Sequence, residues 1–322
     1  MVAASEPGKR AARAGAAWSQ ADLGMLVVAL LWGVSMPVVK AGVGFWHPLV
    51  FNTLRLVLGA LVVPLVALAL RMDMRRPARE DWLKFLGLGL LHYTVCQVAF
   101  IYGIALTTAS NSSLVIAARP ALVAILGAAL GLEVVARRGW LGVVLCLAGV
   151  GMLIFGAGGQ VVVGGSSIAG DLLVLVGSAA FALYTLASRR MNQKYGAVRV
   201  TIYTMLLGVW PLPFISLPAM LSTPWQAADW PAVWTVLFSG VFVIGLSHVL
   251  WNLGIKSLGG LRTTVYGSVP NVLAPLIGWL WLNETMTALQ LLGAGLTLVG
   301  VVVTRLSSAS VPVKESTSES AS

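Results

Sequence analysis

Apolar residues fill long stretches of the chain, and short polar segments separate them. A stretch of about 17–25 apolar residues is long enough for a helix to cross the hydrocarbon core of a membrane. The pattern predicts ten spans: Leu23–Lys40, Leu49–Leu70, Phe85–Leu106, Leu114–Leu132, Leu141–Phe155, Leu172–Ser188, Val200–Leu221, Val233–Ile255, Thr263–Leu282 and Leu289–Thr304. The fifth of these is short. The expected fold is an all-α integral membrane protein of about ten transmembrane helices.

The amino-acid composition excludes a water-soluble globular protein. Of the 322 residues, 58% are hydrophobic and 10% are charged, whereas soluble domains carry about 25% charged residues. The polar surface is too small to cover a protein in water. The first span is too long for the apolar region of a signal peptide and has no small-residue cleavage site after it. We therefore expect this span to stay in the mature protein.

The lysine and arginine residues indicate which way the chain enters the membrane. If the N-terminus is cytoplasmic, 18 of the 21 basic residues fall in cytoplasmic tails and loops, and only Lys40 falls near the outer side. This asymmetry follows the positive-inside rule, predicts both termini in the cytoplasm and explains the net charge of +10 without nucleic acid. We expect a bacterial inner-membrane protein with a basic N-terminal tail at 1–20 and a disordered tail at 307–322.

The chain contains an internal repeat. SLVIAARPALVAILGAALGLE, which ends at Glu133, aligns with TVYGSVPNVLAPLIGWLWLNE, which ends at Glu284, and Pro120 pairs with Pro270. The alignment also matches Gly142 with Gly293, Gly149 with Gly300, and Asp22 with Asp171. Each aspartate begins a span, where N-capping is its expected role. Glu284, at the end of a span, is expected to tolerate replacement by glutamine.

Each half of the chain, residues 21–157 and residues 168–306, holds five predicted spans. Because five is odd, the second half enters the membrane from the opposite side, and the two repeats are inverted. Inverted repeats are typical of secondary transporters, which hold their substrate near the middle of the membrane between the halves.

Four features of the sequence form a further pattern: LLWGVSMPVVK at Leu30–Lys40, Pro48 followed by Arg55, YGIALTTAS at Tyr102–Ser110, and the aligned segments that end in LE and LNE. Together they resemble the EamA branch of the drug/metabolite transporter superfamily, over nearly the whole chain. The resemblance implies ten helices around a central cavity. It also implies export of small polar metabolites, with amino-acid exporters of the YddG type among the similar proteins.

Arg55 and Arg119 lie inside predicted spans, where an arginine costs about 2.5–3.5 kcal/mol on insertion scales. Each of them must face a cavity, a partner or an aqueous route. A guanidinium binds a carboxylate through two parallel hydrogen bonds, so both residues are candidates for substrate binding. The alternative is a structural arginine that bonds the carbonyl groups of a broken helix, as Pro120 beside Arg119 allows.

The third and eighth spans carry further polar side chains near mid-membrane, in the segments HYTVCQVAFIY and GLSHVLWNLG. Their alternative role is hydrogen bonding between helices. Aromatic residues within the spans are candidates for the walls of an apolar site or for a cation–π surface, or they are ordinary packing residues. The complete set of candidate substrate-binding residues is Trp32, Arg55, His92, Tyr93, Gln97, Tyr102, Arg119, Tyr184, His248, Trp251, Asn252, Tyr266 and Asn271.

All eleven acidic residues fall in tails, loops or predicted helix ends, so no carboxylate at mid-membrane is available to relay protons or sodium ions. Proton coupling would require His92 or His248, since histidine alone titrates near neutrality without help; facilitated movement down a gradient is the other possibility. No nucleophile, metal-ligand or paired-acid motif occurs, which makes an intramembrane enzyme the weakest hypothesis. No cofactor is expected.

The sequence therefore predicts a secondary transporter that exports small metabolites by alternating access. Amino acids, including aromatic or other apolar ones, and related amines are the expected substrates. A lipid-linked or nucleotide-sugar type of metabolite is the alternative for the same fold. The expected partners are a small-molecule substrate and membrane lipid, without nucleic acid, and the sequence is compatible with a monomer or a homodimer.

Overall fold

The computed structural model describes residues 19–156, 168–258, 263 and 266–308, and the described chain is helical throughout. The basic N-terminal tail and most of the C-terminal tail lie outside the described residues. The helices are α1 (Gln20–Phe45), α2 (Pro48–Ala69), α3 (Arg79–Leu106), α4 (Ala109–Ala129), α5 (Arg137–Gly156), α6 (Ile168–Ala187), α7 (Ala197–Val209 followed by Pro211–Leu221), α8 (Trp230–Leu258), α9 (Pro270–Leu282) and α10 (Ala288–Ser308). A short helix, Arg189–Tyr195, precedes α7.

Seven of the helices in the described part of the chain are long and apolar enough to cross a membrane, namely α1 to α6 and α8. The two pieces of α7 are bent by 43° and count as an eighth span if they are taken together. A shorter apolar helix, α9, and the apolar stretch Ala288–Thr304 of α10 occupy the places of the last two predicted spans. The predicted all-helical membrane architecture is confirmed. The fifth helix has 20 residues and is longer than the sequence pattern indicates.

Helices α5 and α10 pack backbone to backbone along a seam of small residues. A Cβ atom built on Gly149 would lie 2.6 Å from the carbonyl oxygen of Gly293, and one built on Gly293 would lie 2.7 Å from that of Gly149. Gly142 and Gly300 make the same reciprocal approach, at 2.8 and 2.7 Å. Because the repeat aligns Gly142 with Gly293 and Gly149 with Gly300, each contact is the counterpart of the other under inversion.

We expect Gly149→Ala to destabilise the protein by about 1–3 kcal/mol, since the added methyl group would press on backbone atoms of α10 that cannot rotate away. Gly151→Ala, two residues along α5, is the matched control, because a Cβ there meets nothing within 4 Å. Thermal unfolding of both variants in detergent measures the difference. Equal melting temperatures would contradict the close packing of this seam.

The third helix of each repeat contains a π-helical segment, Leu90–Cys96 in α3 and Phe238–Leu246 in α8. In α3, Gly89 lies directly against the backbone of α7 at Gly208, and in α8, Gly240 lies against the carbonyl oxygen of Arg55 in α2. π-helical turns often mark functional sites within helices. The two repeats thus exchange equivalent contacts, with α3 on α7 and α8 on α2.

One end of the helix bundle, which we name the basic face, carries the α2–α3 link and the short helix before α7. There the Asp81 carboxylate accepts hydrogen bonds from Lys194 Nζ and Tyr195 Oη, both at 2.7 Å, and Asp73 pairs with Arg199. These contacts join the first repeat to the second. Hydrogen bonds from Arg75 lower the pKa of Asp73 to about 2. The stabilisation from Asp73 is therefore present above pH of about 4 and is lost as the pH falls towards 2.

At the opposite end, Trp46 is buried between the α1–α2 link and α8. Its Nε1 donates to the carbonyl oxygen of Ala232 at 3.0 Å, and its ring lies 5.7 Å from that of Trp225. Lys40 donates to the carbonyl oxygens of Ile104 and Ala105 at the C-terminus of α3, where a cation complements the helix dipole. This end, like the basic face, is held by contacts between helices.

Glu284 lies at the end of α9 as predicted, but this helix end is enclosed, and its contacts count against the expectation that glutamine replaces it without effect. The residue is 9% exposed. Its carboxylate accepts hydrogen bonds from the backbone N–H groups of Ala109 and Ser110 at 2.7 and 2.9 Å, and from Ser110 Oγ at 2.5 Å. A carboxylate at the end of α9 therefore caps the first turn of α4, in the other repeat.

Neither of the two aligned aspartates is the N-cap of its helix, so the expected role is corrected. Ser19 is the N-cap of α1, and Asp22 completes a capping box with it while accepting a hydrogen bond from Tyr266 Oη at 2.9 Å. Asp171, the fourth residue of α6, is fully buried and accepts from Thr107 Oγ1 at 2.6 Å and from Asn111 Nδ2 at 3.1 Å. Each aspartate therefore ties the first helix of its own repeat to residues of the other repeat.

Candidate functional site

The arginine of the fourth helix lies where that helix is interrupted. The first segment of α4 ends at Ala117, Ala118 forms a turn, and the second segment begins at Arg119 with Pro120 in its first turn. Proline fits this position because its missing N–H needs no partner there. The predicted interruption of the helix is present, and it places the guanidinium of Arg119 inside the bundle rather than on its outer surface.

Arg119 contacts one ring of a group of three aromatic side chains, and with them it forms what we name the arginine–aromatic cluster: Arg119, His92, Phe181 and Tyr184. The guanidinium carbon lies 4.2 Å from the centre of the Phe181 ring. The His92 ring stacks on Tyr184 at 4.3 Å and meets Phe181 edge to face at 5.1 Å. Nε of Arg119 and Nδ1 of His92 are buried and have no hydrogen-bond partner among the described residues. The cluster thus offers donors next to apolar ring faces.

Arg55 is held differently from Arg119, by neutral amides. It is 4% exposed. Its Nε and Nη2 donate to Oδ1 of Asn52 at 3.1 and 2.9 Å, and Nη2 also donates to Oε1 of Gln97 at 2.8 Å. The rings of Phe51 and Phe100 lie 5.8 and 5.4 Å from its guanidinium carbon. Side chains of α2 and α3, those of Asn52 and Gln97, therefore hold the guanidinium of Arg55 between the two helices.

A second aromatic group joins α1 to α8, and we name it the tryptophan cluster: Trp32, Trp251 and His248. The Trp32 ring lies 4.9 Å from Trp251 and 6.2 Å from His248, the latter edge to face. Because Asp22 aligns with Asp171, Trp32 aligns with Phe181. Each repeat therefore places one aromatic residue of its first helix against a histidine of the third helix of the other repeat, and only one of these pairs has an arginine beside it.

Two of the remaining candidates contact these clusters: the Tyr93 ring lies 4.3 Å from that of His92, and Asn252 bonds His248. Tyr93 is 2% exposed and packs in an apolar core with residues of α2 and α7, and Tyr102 faces His47 near the opposite end. Asn252 donates to the carbonyl oxygen of His248 one turn earlier in α8. Tyr266 bonds Asp22 near the start of α1. Asn271 is partly buried in the first turn of α9.

Two contributors to the site escaped the sequence analysis. Asn52 lies three residues before Arg55, on the same side of a helix, and this spacing is a usable signal. Phe181 aligns with Trp32 through the repeat, which is a second signal. Within the described part of the chain, no three His, Cys, Asp or Glu side chains are grouped as a metal site requires.

Comparison with known proteins identifies the family of this two-repeat helical bundle. The sequence profile of the EamA-like transporter family matches residues 19–155 and again residues 168–306. The chain belongs to this family. Since the same profile matches twice, the EamA-like transporter consists of two copies of one unit, as the sequence analysis predicts. Its family makes it a multi-pass membrane transporter and not an enzyme.

Curated relatives cover nearly the whole EamA-like transporter. The uncharacterized transporters YyaM and YdfC of Bacillus subtilis (strain 168) are 25% identical over 280 residues and 27% identical over 276 residues. Each match covers 86% of this chain, and 91% of YyaM and 88% of YdfC. One solved crystal structure superposes with a TM-score of 0.60 over 91% of this chain and 99% of its own, at 19% identity. That likeness shows the shared fold alone.

Proposed function

We propose that the EamA-like transporter crosses a bacterial inner membrane ten times, with both termini in the cytoplasm. The apolar helices α9 and α10 stand at the positions of the ninth and tenth predicted spans. The two links richest in basic residues, between α2 and α3 and between α6 and α7, contact each other at the basic face, together with the helix starts that follow them. The positive-inside rule puts this face in the cytoplasm.

The proposed substrates are amino acids, above all those with aromatic or other apolar side chains, and the proposed direction is export. The observation that carries this proposal is the arginine–aromatic cluster. Arg119 stands at a helix break, its buried Nε has no hydrogen-bond partner among the described residues, and its guanidinium contacts Phe181, which packs against His92. A planar guanidinium suits a carboxylate, while ring faces suit an apolar side chain and, at Trp32 and Trp251, an ammonium group.

The proposed mechanism is alternating access between the two inverted repeats. The pairs Gly149–Gly293 and Gly142–Gly300, and the equivalent π-helical contacts of α3 and α8, support this mechanism because each contact has a counterpart when the two repeats are exchanged. Two similar units of opposite orientation have two packings of similar energy, one open to each side of the membrane. The two clusters lie between these units, where either packing could reach them.

Counterflow in proteoliposomes tests this function. Vesicles loaded with an unlabelled compound are diluted into labelled compound, and transient accumulation reports exchange through the protein. We expect accumulation with phenylalanine, tryptophan and leucine, and none with nucleotide sugars. Exchange of a nucleotide sugar or a lipid-linked sugar, without exchange of amino acids, would replace the proposed substrate by the alternative for this fold.

A further inference from the structure

Two guanidinium groups lie within the helix bundle, and no carboxylate accompanies them. Among the described residues, neither Arg55 nor Arg119 forms an ion pair; the described ion pairs all involve other residues. The described acidic side chains lie in links or near helix ends: Asp22, Asp73, Glu80, Asp81, Glu133, Asp171, Asp229 and Glu284. Around Arg55 and Arg119, the bundle therefore carries positive charge that no described carboxylate pairs with.

The two charges act on the same part of α3. Arg55 donates to Gln97. The guanidinium of Arg119 contacts the Phe181 ring, which packs edge to face on His92, five residues before Gln97 in α3. A ligand beside this part of α3 would therefore experience both positive charges together.

The protein stabilises these cations with dipoles and ring faces. Asn52 and Gln97 supply amide oxygens to Arg55, and the Phe181 ring supplies a cation–π contact to Arg119. Such contacts reduce the cost of burying a charge, but they add no negative charge to the site. An anionic ligand supplies the negative charge that the side chains lack, whereas a cationic ligand adds to the excess of positive charge.

We propose that Arg55 and Arg119 together make this a site for carboxylate-bearing substrates without net positive charge, and that the transporter rejects amine cations. The inference rests on the proposed function and narrows its substrate class, since it excludes the amines that the sequence predicts as substrates. Arg119 binds the carboxylate. Arg55, which Asn52 and Gln97 hold in place, acts on the substrate through its charge and is a specificity-determining residue.

The size of the effect follows from Coulomb's law. A unit charge at about 8 Å, in an effective dielectric constant of about 20, changes affinity about thirtyfold. Since both arginines repel a cation, we expect an aromatic amine to bind at least thirtyfold more weakly than the amino acid of the same ring. The corresponding carboxylate without an amino group should bind at least as well as the amino acid.

Three compounds with one phenyl ring test this inference: phenylalanine, phenylpyruvate and phenethylamine. They present a zwitterion, an anion and a cation to the purified full-length transporter, and thermal stabilisation in detergent and counterflow in proteoliposomes report binding and transport. We expect both carboxylates to bind and phenethylamine to fail. If phenethylamine matches phenylalanine, the inference is wrong and the proposed function stands. If only phenylpyruvate binds, the proposed function is wrong and the inference stands. If none of the three binds, both are wrong.

Variants of the two arginines test whether their positive charges cause the rejection of amines. We expect Arg55→Gln, which keeps an amide that can bond Asn52 or Gln97, to raise phenethylamine binding about tenfold or more and to weaken phenylpyruvate. Arg119→Gln provides a second variant if Arg55→Gln fails to fold. Nε of Arg119 makes no hydrogen bond with the described residues, so this change removes none there. Unchanged amine binding in a folded variant of either residue would overturn the inference.

Discussion

Replacing Arg119 by alanine is expected to reduce exchange of carboxylate-bearing substrates by about a hundredfold. Truncating one partner of a buried, hydrogen-bonded charge pair costs about 2–5 kcal/mol, because the other charge is left without its partner. Here that other charge is the carboxylate of the substrate. Uptake rates in proteoliposomes, measured with equal amounts of reconstituted protein, give the ratio directly.

The internal repeat supplies a matched control for Arg119. Val269 aligns with Arg119, directly before Pro270, and Val269→Ala removes apolar atoms from the equivalent helix start without touching a charge. We expect this control to exchange substrate at nearly the native rate. Equal loss in both variants, or equal loss for carboxylate and non-carboxylate compounds in Arg119→Ala, would make Arg119 part of the scaffold.

Glu284→Gln is expected to lower the stability of the protein by about 3 kcal/mol. The native carboxylate accepts three hydrogen bonds from Ala109 and Ser110, and bonds to a charged group contribute about 1.5–3 kcal/mol each. Glutamine presents one oxygen and one NH₂ group, so a donor would face backbone donors. The negative charge that complements the first turn of α4 would be lost as well.

Glu133→Gln is the matched control for this second variant. Glu133 aligns with Glu284 in the repeat but pairs with Arg189 at the basic face, where the two side chains are 27% and 43% exposed. Exposed ion pairs contribute about 0–1 kcal/mol. Thermal unfolding in detergent should therefore separate the two glutamine variants clearly, and similar melting temperatures would show that Glu284 does not hold α4 and α9 together.

The helices and their repetition were accessible from the sequence because they depend on local properties. Apolar runs of sufficient length specify the spans, and the adjacent charge and proline at Arg119–Pro120 specify the break in α4. The seam between α5 and α10 was partly accessible as well, since the alignment of Gly142 and Gly149 with Gly293 and Gly300 marks the positions where two backbones meet.

Features that depend on contacts between distant helices were not accessible. The π-helical segments of α3 and α8 shift the hydrogen-bond register where Gly89 and Gly240 meet other helices, and no local pattern encodes that shift. The burial of Glu284 depends on the position of α4, which lies about 170 residues earlier in the chain. Tyr93 and Tyr102 are the same residue type in the same helix, but only packing shows that Tyr93 lies against His92 and Tyr102 faces His47.

The contacts that close the two ends of the bundle differ in kind. At the basic face they include exposed ion pairs such as Lys194–Glu80, which dissolved salt screens. At the other end the buried indole of Trp46 and the enclosed carboxylate of Glu284 are shielded from ions. Raising the ionic strength is therefore expected to weaken the contacts at the basic face and to leave those at the other end unchanged.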